Sequence, residues 1–403
     1  MRIGIVTDVV MPFRQGGIER RVYEIGRRLA GRGHEVHIVT MRWWEGPATS
    51  HLEGMTLHGV CPPIGLYSGR RRSIRQAIWF AIAAARYLAV TGIEADVVEV
   101  QAFPYFPVLA CRAVLRAPLV VTWHEVWGAY WLHYLGLAGL AGAAVERMCA
   151  RLGRLRIAVS QEVEQRLLSL SATPPTAVVC GGVDLEAIAR APSLPEGPEL
   201  VFVGRLLPHK GLDLLLRALA VLRATGKSPS VAIVGEGPDR ERIGVLAQQL
   251  GLDGQVQFLG RVSDSGLFAL LKTARALVLP SMREGFGLAV LEANACGRPA
   301  VVVDHPLNSA RHLVRHGGNG FVCPPSPEEL AGAIALALES GPDMAEECHA
   351  IARAFSWEAS AAMAERVLGL AVGSRFSPAE ATSADADIIS AERHTSGIDR
   401  DLH

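Results

Sequence analysis

Three loops in this chain set acids, cations and paired glycines at spacings that suit chemistry on an anionic ligand. The fullest is Pro280-Ser281-Met282-Arg283-Glu284-Gly285-Phe286-Gly287-Leu288-Ala289-Val290-Leu291-Glu292. It leaves an apolar run that reads as a strand and enters one that reads as a helix. Gly285 and Gly287 at the head of that helix let a ligand approach bare backbone N–H groups, where the helix dipole favours an anion. Glu284 lies in the loop and Glu292 roughly two turns into the helix, so the two acids suit hydroxyls at opposite ends of one extended ligand. The plainer alternative is a Gly-rich turn with Glu292 an ordinary surface acid.

The second loop, Gly204-Arg205-Leu206-Leu207-Pro208-His209-Lys210-Gly211, also joins a strand to a helix. Arg205 offers a fork that matches phosphate oxygens, and Lys210 a mobile point charge. Set across one turn, the two suit a diphosphate. Lys210, Lys227 and Lys272 are the only lysines among 40 basic residues, so a lysine here is harder to dismiss as a solvated charge. The third loop, Arg14-Gln15-Gly16-Gly17-Ile18-Glu19-Arg20, follows the first strand; its glycine pair suits phosphate as well as it suits a plain tight turn.

A fourth segment, Thr122-Trp123-His124-Glu125-Val126-Trp127, puts His124 at the carboxyl end of a strand. There it either bonds a sugar hydroxyl or serves as a satisfied structural histidine. Trp123, Trp127, Tyr130, Trp131 and Tyr134, with Phe103, Tyr105 and Phe106 on an earlier loop, offer faces for sugar rings or lipid chains, or simply pack. Gly235-Glu236-Gly237-Pro238-Asp239-Arg240 is not a dinucleotide fingerprint, because Arg240 takes the third glycine position and a proline intervenes. It reads as a strand-to-helix turn beside a nucleotide base. Arg70-Arg71-Arg72-Ser73-Ile74-Arg75 precedes an apolar helix over Gln76–Leu88. That pairing suits anionic lipid, and equally a solvated loop before a packed helix. Asp385-Ala386-Asp387 reads as part of an acidic tail rather than a metal site.

Positioning such loops takes parallel sheets. Short β-branched apolar runs alternate with helical patterns in two series. The first covers Ile3–Thr7, Val36–Thr40, Val97–Val100, Leu119–Thr122, Ile157–Ser160 and Ala177–Cys180. The second covers Leu200–Val203, Val231–Val234, Val256–Leu259, Ala276–Leu279 and Ala300–Val303. Helices such as Glu19–Arg32 and Gly211–Arg223 fall between, and Ala191-Pro192-Ser193-Leu194-Pro195-Glu196-Gly197-Pro198 reads as the linker. The expected fold is α/β: two doubly wound Rossmann-like domains, residues 1–190 and 196–355, whose parallel sheets face an interdomain cleft. A last amphipathic helix is expected at about 357–371, and 374–403 reads as a disordered tail.

Composition agrees with a soluble two-domain protein of 403 residues. Basic and acidic residues both number 40, so no global field marks the chain for nucleic acid. The seven cysteines, Cys61, Cys111, Cys149, Cys180, Cys296, Cys323 and Cys348, are scattered and lack zinc spacing. They read as buried thiols of a reducing cytosol, and no metal site is expected. The start, Met1-Arg2-Ile3-Gly4-Ile5-Val6, does not read as a signal peptide, and no apolar stretch reaches the length of a membrane span.

In this order and combination the motifs resemble glycosyltransferase family 4, retaining enzymes of the GT-B fold, from Met1 to about Leu370. Glu284 and Glu292 match the family's two-glutamate element, followed by Glu-Ala-Asn-Ala-Cys-Gly where the family usually has Glu-Ala-Met-Ala-Cys-Gly. Gly204, Arg205, Leu206, Lys210 and Gly211 match its Gly-Arg-Leu…Lys-Gly element, and Gly16-Gly17 its early glycine pair. There are two departures. Gly181-Gly182-Val183-Asp184 stands where the family often has Asn-Gly-Val-Asp, and His312 stands where it has an acid before a Leu-Val pair.

The resemblance implies transfer of a sugar from a nucleotide-diphosphate donor to a hydroxyl acceptor, with retention and with no metal or other cofactor. In the catalytic set, Arg205 and Lys210 would bind the diphosphate and stabilise the leaving charge, Glu284 would contact the donor sugar, and His124 would lie near the transferred sugar. Gly204, Gly285, Phe286, Gly287 and Leu288 would line the donor pocket. Glu292 would hold the ribose, and Gly16-Gly17 would close on the phosphates. The helix after Trp357 would return to the first domain. The acceptor, bound by the first domain, would be a saccharide, a lipid-linked carrier or a small molecule. A nucleotide-sugar epimerase of the same architecture and a non-catalytic carbohydrate- or partner-binding protein are the rivals. The expected location is the cytoplasm, with a peripheral contact at the inner face of the membrane left open.

Overall fold

The computed structural model describes residues 1–69 and 71–373. The expected tail 374–403, with Asp385-Ala386-Asp387, lies outside the described residues, as does Arg70. The chain divides into two compact units. The first holds Met1–Leu66, Ser73–Cys180 and the chain from Glu358; the second holds Tyr67–Arg72 and Gly181–Trp357. The hand-over thus falls at Cys180–Gly181, ahead of the Pro-rich linker. The short helix Leu185–Arg190 goes with the second unit because Ile188 is in that unit's core and Val183 N donates to Phe355 O at 3.1 Å.

The first unit is built on eight strands: β1 Arg2–Val6, β2 Glu35–Met41, β3 Thr49–Leu52, β4 Met55–Cys61, then, after the small β5–β6 hairpin (Tyr67–Ser68 and Arg71–Arg72), β7 Val97–Gln101, β8 Leu119–Trp123, β9 Leu155–Ala158 and β10 Thr176–Val178. Their order is β10-β9-β8-β7-β1-β2-β4-β3. All pairs are parallel except the edge hairpin β3–β4, which the sequence reading lacks. In this hairpin β3 is polar and half-exposed, and β4 buries only Met55, Leu57 and Cys61 between less buried residues, so neither carries a continuous apolar run. What specifies it is the turn, where Glu53 and Gly54 both take positive φ, 48° and 79°, as a tight two-residue hairpin requires. In contrast β7 and β8 are buried along their whole length and read as mainly apolar runs, as parallel strands covered on both faces do, with Glu99 and Gln101 the polar exceptions in β7.

The second unit has six parallel strands: β11 Leu200–Val203, β12 Val231–Val234, β13 Val256–Gly260, β14 Ala276–Leu279, β15 Ala300–Val303 and β16 Gly320–Cys323. Their order, β13-β12-β11-β14-β15-β16, reverses between β11 and β14. The loops leaving those two strands therefore diverge and open a crevice at the carboxyl edge, where doubly wound sheets take their ligands. In the first unit the order reverses between β1 and β7. The last helix, Trp357–Val372, rejoins the first unit from Glu358. There Glu365 bonds Arg32 Nη1 at 2.6 Å and His34 Nε2 at 2.7 Å.

A histidine stack ties β2, β4 and the helix Ile74–Val90. His58 lies between His37, at 2.9 Å, and the Tyr87 hydroxyl, at 2.9 Å. Burial, then the neighbouring His37 and His51, push His58 down to about 4 from 6.5. Its folded value is the lower one, so its contribution to stability is full above pH 6.5 and is lost as pH falls towards 4. Thermal unfolding followed between those pH values should show a falling Tm, with a flatter fall in His58→Gln. An equal slope in the variant would remove His58 from the account.

Candidate active site

The site in the second unit begins with a backbone contact. Gly211 takes φ 69°, and a Cβ there would collide with the carbonyl oxygen of Pro280. Residue 211 must therefore be glycine on two counts. The contact seats the loop after β11 on the loop after β14, and Met282 N donates to His209 O at 2.8 Å. Across this seam Lys210 Nζ meets Glu284 Oε1 at 2.6 Å, both side chains largely buried. The backbone of Glu284 is fixed from the other side, where its N–H donates to Leu307 O at 3.0 Å and its carbonyl accepts from Ser309 N at 2.9 Å. Asn308, fully buried between those two, donates to Val303 O at 2.8 Å.

Positive charge converges here. Arg283 is 6% exposed, and its Nη2 lies 3.5 Å from His209 Nδ1. His209 is held well below 6.5, first by burial and then by the charges of Arg283, Lys210 and Arg205. It is a neutral spacer among three cations. Arg205 also donates from Nη1 to the Tyr67 hydroxyl at 3.1 Å. Gly287, at φ 114°, caps the helix Leu288–Ala295 without any side-chain cap, so the first N–H groups face the crevice edge uncapped by side chains. Low dielectric and preorganised N–H groups beside three cations make a receptor for a polyanion.

The remaining glycines are explained by close approach. A Cβ on Gly235, at φ 131°, would strike Gly204 O, and one on Gly237 would strike Leu206 O. These two glycines let the turn after β12 support the Arg205 loop. Gly181 sits against Phe286 and Leu288, and Gly182 against the Ser356–Trp357 backbone, which accounts for the first departure from the family pattern. His312, the second, is exposed and its Nε2 accepts from Arg311 Nε at 3.1 Å. Asn294, where a methionine is usual, is buried against Asn319, whose Nδ2 donates to Asn294 Oδ1 at 2.6 Å.

Gly204, Arg205, Lys210, Glu284, Gly285, Phe286, Gly287, Leu288 and Glu292 thus all lie on the two loops and the helix flanking the sheet reversal of the second unit. Glu292 is 7% exposed within a helix buried from Val290 to Ala295, so it is not a surface acid. Gly16, Gly17 and His124 belong to the first unit. Gly17 opens the helix Gly17–Gly31, but its first turn already holds a buried acid, Glu19. His124 follows β8, and its Nε2 lies 2.7 Å from Gln101 Oε1.

The aromatic segment after His124 is anchored by Glu146. This fully buried carboxylate accepts from Trp127 N, Gly128 N and the Tyr105 hydroxyl, each at 2.7 Å. Phe103 stacks on Trp127 with centroids 5.1 Å apart. The sequence reading missed Arg283 and His209 as functional, because their weight comes from burial rather than spacing. It missed Tyr67 because the hairpin that carries it, though part of the second unit, lies far from Arg205 in the sequence and leaves no local signal.

Two parallel-sheet α/β units with loops assembled at strand-order reversals are the architecture of GT-B glycosyltransferases. The family models agree: residues 15–187 match Glycosyltransferase Family 4 and residues 186–355 match Glycosyl transferases group 1. A relative, the D-inositol 3-phosphate glycosyltransferase of Kribbella flavida, is 30% identical over 388 residues, 86% of this chain and 88% of its own. Sucrose-phosphate synthase of Thermosynechococcus elongatus shares the fold, with TM-score 0.76, 20% identity, and 91% and 98% of the two chains covered. HepE of Anabaena, solved with UDP-glucose, does so with TM-score 0.69, 20% identity, and 92% and 99% covered. The chain belongs to the group 1 glycosyltransferases.

Proposed function

We propose that the chain moves a sugar from a nucleoside-diphosphate donor to a hydroxyl acceptor with retention of configuration, and that the departing diphosphate is stabilised by the protein's own cations rather than by a metal ion. The observation that carries this reading is the convergence of Arg205, Lys210 and Arg283 on neutral His209 at the carboxyl edge of the second sheet. Breaking a sugar–diphosphate bond leaves new charge on the phosphate oxygens. Groups already aimed there, in a dry site, act without reorganising. Arg205 and Lys210 receive that charge, and the uncapped helix start at Gly287 adds its dipole. The Lys210–Glu284 contact holds the lysine ready and leaves the second oxygen of Glu284 to read a donor-sugar hydroxyl. Glu292 holds the ribose. The positively charged sugar is then attacked by the acceptor on the face from which the diphosphate leaves. A UDP-glucose complex of a protein with the same fold supports a nucleotide-sugar donor.

The test is a thermal-shift panel of UDP, GDP and ADP with their sugars, with and without EDTA, on wild type and Lys210→Ala. One diphosphate should raise the wild-type Tm, equally with EDTA present. In Lys210→Ala the shift should shrink and turnover should fall by about 10²–10³, the cost of losing one such stabiliser. Near-normal transfer by the variant would refute the leaving-group role, and a magnesium-dependent loss under EDTA would refute metal independence.

The same reading includes a peripheral contact with an anionic lipid surface. The helix Ile74–Val90 contains no acid and exposes Ile74, Ile78, Trp79 and Ile82 beside Arg75 and Arg86, while Gln76, Phe80 and Ala84 face inward. Ile74, Ile78 and Ile82 recur every four residues and so share one face. An apolar face rimmed by arginines suits the headgroup region of such a bilayer. No helix among the described residues is long and apolar enough to cross a membrane. The full chain should cosediment with phosphatidylglycerol vesicles and not with phosphatidylcholine vesicles, and Ile78→Glu with Ile82→Glu should abolish it. Undiminished binding by that variant would overturn the assignment.

A further inference from the structure

The carboxyl ends of β7 and β8 carry a buried polar chain that the donor chemistry does not use. It starts at Arg21, 3% exposed, whose Nη1 meets Glu99 Oε1 at 3.0 Å. Glu99 is 1% exposed. The same oxygen accepts from Thr122 Oγ1 at 2.7 Å and from Gln101 Nε2 at 3.0 Å. Gln101, also buried, ends the chain with its Oε1 2.7 Å from His124 Nε2.

The donor and acceptor roles in this chain have only one consistent solution. Glu99 is the acid of an ion pair and can only accept. The amide end of Gln101 that faces it must therefore be the NH2. Turning the amide over would set a carbonyl oxygen against a carboxylate oxygen inside the protein, where neither has water to turn to. The Gln101 carbonyl then has to face His124, and a carbonyl oxygen can only accept. The ring nitrogen opposite it, Nε2, must carry a hydrogen. In the neutral imidazole this leaves the lone pair on Nδ1.

We propose that Gln101, held by Glu99, is a positioning residue for His124: its carbonyl takes the Nε2 hydrogen and so fixes the tautomer and the orientation in which the ring meets the substrate. The assignment rests on the glycosyltransferase reading for its substrate, and on nothing but this geometry for its tautomer. An amide between the carboxylate and the ring has a further consequence. A carboxylate in direct contact with an imidazole favours the imidazolium and makes the ring a stronger base. An interposed amide takes no proton, so the charge of Glu99 is used to orient Gln101 and is not passed to the ring. Gln101 therefore orients the ring without placing a carboxylate against it.

The proposal is tested by long-range ¹H–¹⁵N NMR of the full chain labelled with ¹⁵N-histidine at neutral pH, the His124 signals being assigned by their loss in His124→Gln. Wild type should show the Nε2–H tautomer at His124, and Gln101→Met, of nearly the same size and without hydrogen-bonding groups of comparable strength, should show a tautomer mixture. Gln101→Met should also lower kcat by about tenfold while changing the KM for donor by less than about twofold, the pattern of a lost orientation rather than a lost binding contact. An Nδ1–H tautomer in wild type, or an unchanged spectrum in a folded Gln101→Met, would overturn the proposal. If that variant does not fold, the wild-type tautomer alone still decides. A correct tautomer with no transfer to any hydroxyl acceptor would instead count against the glycosyltransferase mechanism and leave the geometry standing.

Discussion

A side chain on residue 211 would strike the carbonyl oxygen of Pro280, and the space left by its absence lets two loops seventy residues apart in the chain lie backbone to backbone. Everything at the proposed donor site follows from that approach. It brings Met282 N onto His209 O, and it sets Lys210 against Glu284. It also accompanies the approach of Arg283 Nη2 to within 3.5 Å of His209 Nδ1. Without the contact, Arg205 and Lys210 would be cations on one loop and Glu284 an acid on another. Parallel strands make the approach available, since the reversal of strand order between β11 and β14 starts both loops from neighbouring strand ends.

The approach has an electrostatic cost that is met locally. Three cations near one buried imidazole would be intolerable if the imidazole were charged, and His209 is accordingly kept neutral. One cation is balanced by Glu284. A diphosphate would supply the remaining negative charge, so the site is arranged for a ligand of that sign. The first unit solves a related problem differently. There Glu99 and Glu146 are both buried, and each is surrounded by donors: Arg21, Thr122 and Gln101 for the one, two backbone N–H groups and Tyr105 for the other. These two acids hold loops rather than ligands.

Most strands of the second unit were legible in the sequence because a strand buried on both faces is mainly apolar; β16, Gly320–Cys323, short and opened by a glycine, was not expected. β11, β12, β14 and β15 fall on the residues expected from that rule. The pair β3–β4 was not legible, because β3 is polar and half-exposed and β4 buries only some of its residues, so neither gives the continuous apolar run that marked the other strands. Within the site, spacing was enough to single out Arg205, Lys210, Glu284 and Glu292. It was not enough to show that Glu292 is buried, that Arg283 belongs with the other cations, or that His124 is backed by Gln101 and Glu99. Those facts depend on contacts between distant segments, which periodicity does not encode.

The account stands or falls on the loop seam. Calorimetric titration of the nucleoside diphosphate preferred by the wild type into Gly211→Ala tests it most directly. With far-ultraviolet circular dichroism showing the fold retained, affinity should drop by about tenfold or more, at least about 1.4 kcal/mol, because the Cβ must push the Lys210 loop off Pro280. Wild-type affinity in that folded variant would contradict the claim that this contact builds the donor site.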